Sequence, residues 1–352
     1  MKCYALVLPG LEKICRQEIK ELLHTTATGS AGFVEFKVDQ KYLPRYASRA
    51  QSVRRILIAL GKYKEIDSFQ CDPALNWSDF FPASFSFKID VENVPGQDNR
   101  FSIAKIVAGR MFPFLEQKKF TPRLEMKKPD FLMVVYFTGK EYAIGIDFCG
   151  EIDSRHYRVF THQASLKGDL AYAIVRSSGL VPGEKIVVGF VKDGTVAIEA
   201  ALFSNGLPVQ KASSFAKFPL YASLPVAAPG TASTIVYGFD ESSQNIIAAQ
   251  KNSLLAGTKQ YLQLRGHSLE ELDIAVPEHG GDHLIFHLTS KDEGKINELY
   301  RQVLYILKPK GTLLIFSTSL IDLPIPRQFC LKKKAFFQKG DSKYHLWLLT
   351  RK

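Results

Sequence analysis

The chain has 352 residues, 46% of them hydrophobic, and a formal net charge of +11. That length allows two or three domains with sizeable cores. The charge leans towards a polyanionic partner, most simply nucleic acid, although a basic balance is also common in ordinary soluble proteins. No apolar run reaches the ~18 residues of a membrane span, and Met1–Gly10 lacks the long apolar stretch of a secretion signal. The five cysteines (Cys3, Cys15, Cys71, Cys149, Cys330) form no C-x-x-C or Cys/His cluster. This argues against a zinc site and for reduced, buried thiols in a cytoplasm.

Cys3–Leu8 alternates into a short strand that Pro9-Gly10 turns. Leu11, Ile14, Ile19, Leu22 and Leu23 then recur at helical spacing, with Glu12, Arg16, Glu18 and Lys20 on the other face. Gly32–Val38 reads as a second strand. Pro44–Leu60 reads as a helix whose basic face carries Arg45, Arg49, Arg54 and Arg55. Strand, helix, strand, helix suits a ferredoxin-like α+β module over residues 1–67. A second α+β module follows over residues 68–155. It comprises a strand at Ser84–Val91, a turn at Asn93–Gln97, a helix at Ser102–Leu115 and a hairpin of Phe131–Phe137 with Tyr142–Phe148. Lys118, Lys119, Arg123, Lys127 and Lys128 fall just before that hairpin, close to Phe120 and Phe131.

From Ala164 strands alternate with helices. Leu166–Gly179 is a helix, Lys185–Val191 a buried strand and Thr195–Phe203 a helix, with Gly189 and Gly194 marking the turn between them. A long link, Ser204–Gly230, carries prolines at 208, 219, 225 and 229. Strand Ser233–Gly238, helix Ser242–Leu255, strand His283–Phe286, helix Lys295–Leu307 and strand Gly311–Ser317 continue the alternation, and Phe329–Phe337 and Tyr344–Thr350 close it. Residues 156–352 therefore predict a Rossmann-like domain with a largely parallel sheet and an antiparallel edge. Lys332, Lys333 and Lys334 in the closing strands suit a guard against edge-to-edge aggregation.

In order and spacing these pieces resemble the THUMP-domain RNA methyltransferases: a ferredoxin-like domain, a THUMP domain and a Rossmann-like S-adenosylmethionine domain. The resemblance is carried by Tyr4-Ala5 with Pro9-Gly10-Leu11-Glu12, by Tyr142-Ala143-Ile144-Gly145-Ile146-Asp147, and by H-Y-R-V-F-T-H-Q-A-S-L-K-G-D-L-A at His156–Ala171. It implies that the THUMP region grips the acceptor end of tRNA, through Lys118, Lys119, Arg123, Lys127 and Lys128 and, at the junction, Arg155, His156 and Arg158. The bland reading of such lysines is a solvated surface. It also implies a methyl-donor loop close to D-P-F-C-G-S-G-T-I-L-I-E-A-A. Phe190, Gly194, Thr195, Ile198, Glu199, Ala200 and Ala201 match that loop, whereas Val188, Gly189, Val191, Lys192 and Asp193 depart from it. Lys192 puts a Cβ and a cation where glycine lets backbone approach a donor that is itself positive at sulfur. Asp240 stands where an acid accepts hydrogen bonds from ribose, but an Asp after a strand equally caps the next helix. The family's N-P-P-Y segment, which holds the target base, is replaced by His287, Leu288, Thr289 and Ser290. His287 as a base weighs less than His287 as a backbone-satisfied histidine at a strand end.

Two altered ligand-facing motifs favour a structured-RNA binding protein, with tRNA as the first candidate, whose methyltransferase domain has lost or changed its catalysis. Gly194 and Asp240 keep open an active S-adenosylmethionine-dependent tRNA or rRNA methyltransferase with divergent residues. A third reading is a scaffold that recruits a protein partner on the Rossmann-like domain.

Overall fold

The computed structural model describes residues 1–210, 214–222, 233–289 and 291–352. They divide into two units, Met1–Ile152 with Gln210–Ala227, and Asp153–Val209 with Ala228–Lys352. No described helix is long and apolar enough to cross a membrane.

The first unit is built on one eight-stranded sheet. Its elements are β1 (Lys2–Leu6), α1 (Glu12–Leu23), β2 (Ala27–Ser30), β3 (Phe33–Lys37), α2 (Leu43–Arg49), β4 (Arg55–Tyr63), β5 (Ser84–Glu92), α3 (Gln97–Gln117), β6 (Thr121–Leu124), β7 (Phe131–Phe137) and β8 (Tyr142–Asp147). The strand order is β2-β3-β1-β4-β8-β7-β5-β6. Because β4 pairs antiparallel with β8, the sheet runs on through the expected boundary at residue 67.

The helix expected over Pro44–Leu60 is corrected. It stops at Arg49, and Arg55–Tyr63 is a central strand between β1 and β8. The buried carboxylate of Glu18 accepts the backbone N–H groups of Gln51 (2.8 Å) and Ser52 (3.1 Å), which leads the chain out of the helix. Ile56, Leu57 and Ile58 are then fully covered, which a β-rich apolar run satisfies better in a sheet interior than on a helix face. Arg55 leaves the supposed basic face entirely. It is buried and bonds Asp147, Glu92 (3.2 Å) and Glu151 (2.8 Å), and these carboxylates outweigh the burial that would otherwise weaken its charge.

Strands β2 and β6 carry little strand signal. Their sequences, A-T-G-S and T-P-R-L, are short and lack apolar alternation, and both lie at sheet edges where a polar face and Pro122 are tolerated. Part of the proline-bearing link also belongs to this unit. Phe215, Phe218 and Tyr221 surround Phe148 with ring centroids 5.3, 5.2 and 5.1 Å away.

The second unit holds α4 (Gly168–Ser177), β9 (Ile186–Gly189), α5 (Thr195–Ser204), β10 (Val236–Asp240), α6 (Ser243–Leu255), β11 (Leu262–Gly266), α7 (Leu272–Ala275), β12 (Gly281–His287), α8 (Glu293–Ile306), β13 (Leu307–Ser317), β14 (Phe329–Lys339) and β15 (Ser342–Arg351). Its order is β11-β10-β9-β12-β13-β15-β14, parallel from β11 to β13 and antiparallel in the last two pairings. The β9 sequence I-V-V-G is buried throughout because it is the middle of a sheet with neighbours on both sides. Lys332, Lys333 and Lys334 are exposed on β14, the outermost strand. All five cysteines are unpaired, and Cys330 is exposed and Cys71 partly so, against the expectation of buried thiols.

Candidate functional site

Strand β9 has β10 on one side and β12 on the other, so the order of the parallel sheet reverses here. The carboxyl ends at such a reversal form the usual ligand crevice of open α/β sheets. The loop leaving β9 is unusual in its backbone. Phe190 and Lys192 both adopt φ +55°, and Gly194 adopts +84° as it starts α5. Non-glycine residues take that conformation rarely and at a cost. The loop is held by the Lys192 backbone N–H, which donates to Asp240 Oδ2 at 3.0 Å. Asp240 Oδ1 also accepts the Ser242 N–H (3.0 Å) and Asn245 Nδ2 (2.8 Å). The carboxylate thus ties the β9–α5 loop to the start of α6, and only part of its acceptor capacity is left for any ligand. Gly194 has a packing reason of its own, since an added Cβ would stand 2.8 Å from the Ala249 Cβ of α6.

Phe190 and Lys192 divide the crevice. On one side, towards β10 and β11, lies a cavity of about 520 Å³ lined by Phe190, Lys192, Glu241, Leu269, Glu270 and Leu288 among others. On the other, between β9 and β12, only about 20 Å³ remains among Val188, Lys192, Asp193, Thr195, His287 and Phe316. That is about the room of one water molecule. The rings of Phe190, Phe239 and Phe286 stand 5.8–6.1 Å from one another, and a Cβ at Gly189 would lie 2.5 Å from the Phe286 ring. Gly189 is therefore a packing glycine under aromatic rings.

His287 lines the small space, 5% exposed, with its ring stacked on Phe316 at 4.5 Å. Burial, followed by the nearby charges of Lys192 and His162, lowers its pKa to about 4, so it is neutral near pH 7. Its Nε2 is buried without a hydrogen-bond partner, so the expected backbone satisfaction does not extend to that atom. Asp193 Oδ2 is likewise buried without one, while Oδ1 holds Thr195 through its N–H (3.2 Å) and Oγ1 (2.8 Å). Leu288 and Thr289 line the large cavity instead, and Ser290 lies outside the described residues. No group of three His, Cys, Asp or Glu side chains able to hold a metal occurs among the described residues.

The expected RNA-contacting residues separate into two kinds. Lys118, Lys119, Arg123, Lys127 and Lys128 are all exposed around β6, with Leu124 and Met126 exposed between them. Phe131 is no stacking platform for them, being 1% exposed within a cluster of phenylalanines. Arg155 is a correction. It is enclosed in the second unit, where Nε and Nη2 donate to the two Glu199 oxygens at 2.8 and 3.0 Å, and the Tyr157 hydroxyl donates to Glu199 at 2.6 Å. No phosphate can reach a guanidinium so placed. Burial opposes its charge, but Glu199 outweighs that and raises the pKa further. His156 is exposed and Arg158 half-buried. Sequence reasoning missed this triad, yet a signal existed: Glu199 is the only charge in the apolar helix T-V-A-I-E-A-A-L-F-S, and a buried acid needs a partner.

Sheet order and crevice together place the second unit in the Rossmann-like methyltransferase fold. Residues 155–319 match a family model described as RMKL-like, methyltransferase domain. Over the whole chain, solved structures share the fold, three of them at TM-scores of 0.72–0.75. TrmN from Thermus thermophilus aligns at TM-score 0.72 and 18% identity, covering 100% of this chain and 99% of that one. A "possible methylase" from Clostridium difficile 630 aligns at 0.75 and 14%, covering 100% and 98%. SMU.472, complexed with SAH, aligns at 0.73 and 19%, covering 99% and 97%.

Proposed function

We propose that this protein binds structured RNA, with tRNA the first candidate, and that its methyltransferase-fold domain no longer transfers methyl groups. The observation that carries the second half is the space of about 20 Å³ left between β9 and β12. S-adenosylmethionine needs room for an amino-acid arm beside its nucleoside, and the arm has none past Phe190 and Lys192. A cationic side chain beside a sulfonium is also repulsive unless an acid intervenes. Bound SAH in a protein of the same fold makes this donor the first ligand to test. Calorimetry on the full chain is expected to show no binding of S-adenosylmethionine at millimolar concentration, and micromolar binding would overturn the reading in favour of an active enzyme.

The RNA half rests on five exposed cations gathered around β6 and the loop that follows, in the region we assign to a THUMP domain at residues 68–155. Cations that neutralise phosphates supply most sequence-independent affinity, and they make it fall with salt. Filter binding of tRNA at two salt concentrations tests this directly: a dissociation constant indifferent to salt would remove nucleic acid from the proposal. Five unpaired thiols, two of them at least partly accessible, fit a reducing compartment such as the cytoplasm.

A further inference from the structure

We propose that the larger cavity is a nucleoside site without an amino-acid arm, so that this protein takes a nucleoside or nucleotide where a methyl donor would be expected. The inference rests on the closed-arm reading above and names the ligand class of the same crevice. At about 520 Å³ the cavity falls within the ~300–1,000 Å³ of small-molecule sites, and it opens at the sheet's order reversal.

Its lining has the mixture a nucleoside needs. Leu269 and Leu288 are buried and Phe190 is half-buried, which gives a heteroaromatic base an apolar and aromatic surface. Glu241, directly after β10, and Glu270 are exposed carboxylates on the same lining, acceptors suited to sugar hydroxyls. Lys192 and Lys295 add cations that a 5′-phosphate can meet. Phe190 and Lys192 line both the large and the small spaces, so the wall between them is made of the residues that depart from, or reorient, the donor loop. Their left-handed backbone and the Lys192–Asp240 hydrogen bond fix that wall in place. A ligand can therefore fill the nucleoside half while nothing larger than a water enters the other.

The same chemistry comes from two sources, a free nucleotide or an unpaired nucleotide of bound RNA. Calorimetry on the full chain with the four ribonucleosides, their 5′-monophosphates and S-adenosylhomocysteine tests the site. At least one nucleoside is expected to bind. S-adenosylhomocysteine is expected to bind no more tightly than adenosine, since its amino-acid arm gains no contacts and finds no room. Glu241→Ala, a change at an exposed position, should weaken the bound nucleoside by about tenfold without lowering the melting temperature. Leu269→Trp, which fills the cavity, should abolish binding. If no nucleoside binds at millimolar concentration, the nucleoside site is overturned while the closed arm stands. If S-adenosylhomocysteine binds tenfold or more tightly than adenosine, both are overturned. Saturating nucleoside that displaces tRNA identifies an RNA nucleotide as the ligand, and unchanged tRNA affinity identifies a free one.

Discussion

Removing Glu199 should destabilise the second unit strongly, because it breaks a buried ion pair from one side. Arg155 and Glu199 have fully buried side chains and meet through two hydrogen bonds, with Tyr157 adding a third to the same carboxylate. Gly168 packs against this guanidinium so closely that a Cβ there would stand 2.2 Å from Nε, so the cation has little room to swing towards water. Glu199→Ala leaves a buried guanidinium and a buried hydroxyl short of an acceptor, and breaking such a pair from one side costs about 3–5 kcal/mol. For a unit of roughly 180 residues that is a fall of about 6–20 °C in melting temperature. The assay is available in the sequence. The two tryptophans lie one in each unit, so Trp77→Phe leaves Trp347 as the reporter of the second. The triple change Arg155→Met, Tyr157→Phe and Glu199→Leu should recover most of the loss, because an apolar replacement leaves no unpaired group behind. A cost below about 1 kcal/mol for Glu199→Ala would refute the reasoning. So would an Arg155→Ala protein that loses RNA affinity at unchanged stability.

Three further outcomes follow from the geometry. The His287 pKa is about 4 in the folded chain against ~6.5 unfolded, so its contribution is fully present above pH 6.5 and is lost as pH falls towards 4; urea titrations should show about 3 kcal/mol of acid sensitivity that His287→Phe lacks. Gly194→Ala, at φ +84° and 2.8 Å from the Ala249 Cβ, should destabilise by about 1–3 kcal/mol in thermal melts, and a neutral result would mean α5 and α6 can part freely. Changing Lys118, Lys119, Lys127 and Lys128 to Ala should weaken tRNA binding and flatten its logarithmic salt slope by up to roughly 3–4, whereas an unchanged slope would place the RNA elsewhere.

The inner strands of the parallel half were legible because they carry apolar runs, whereas β11 at the edge, L-Q-L-R-G, lacks one and was not legible. V-V-G at β9 and L-I-F at β12 announce a sheet with both faces covered. What sequence pattern misses is set by contacts distant along the chain. Nothing local distinguishes R-I-L-I-A-L as strand from helix; Glu18, more than thirty residues upstream, ends α2 by taking two backbone N–H groups. Arg155 looked like an RNA contact for the same reason, since its partner lies 44 residues away. The donor loop sits between these cases. Its substitutions could be read directly, and their discouraging chemistry was apparent from Lys192 alone. The division of the crevice was not apparent, because it depends on the φ +55° turns at Phe190 and Lys192 and on Asp240 reaching across to hold them. One residue thus changes role with its surroundings. In the sequence Asp240 supported a surviving donor site; in the fold its carboxylate helps to secure the wall that closes the donor's arm.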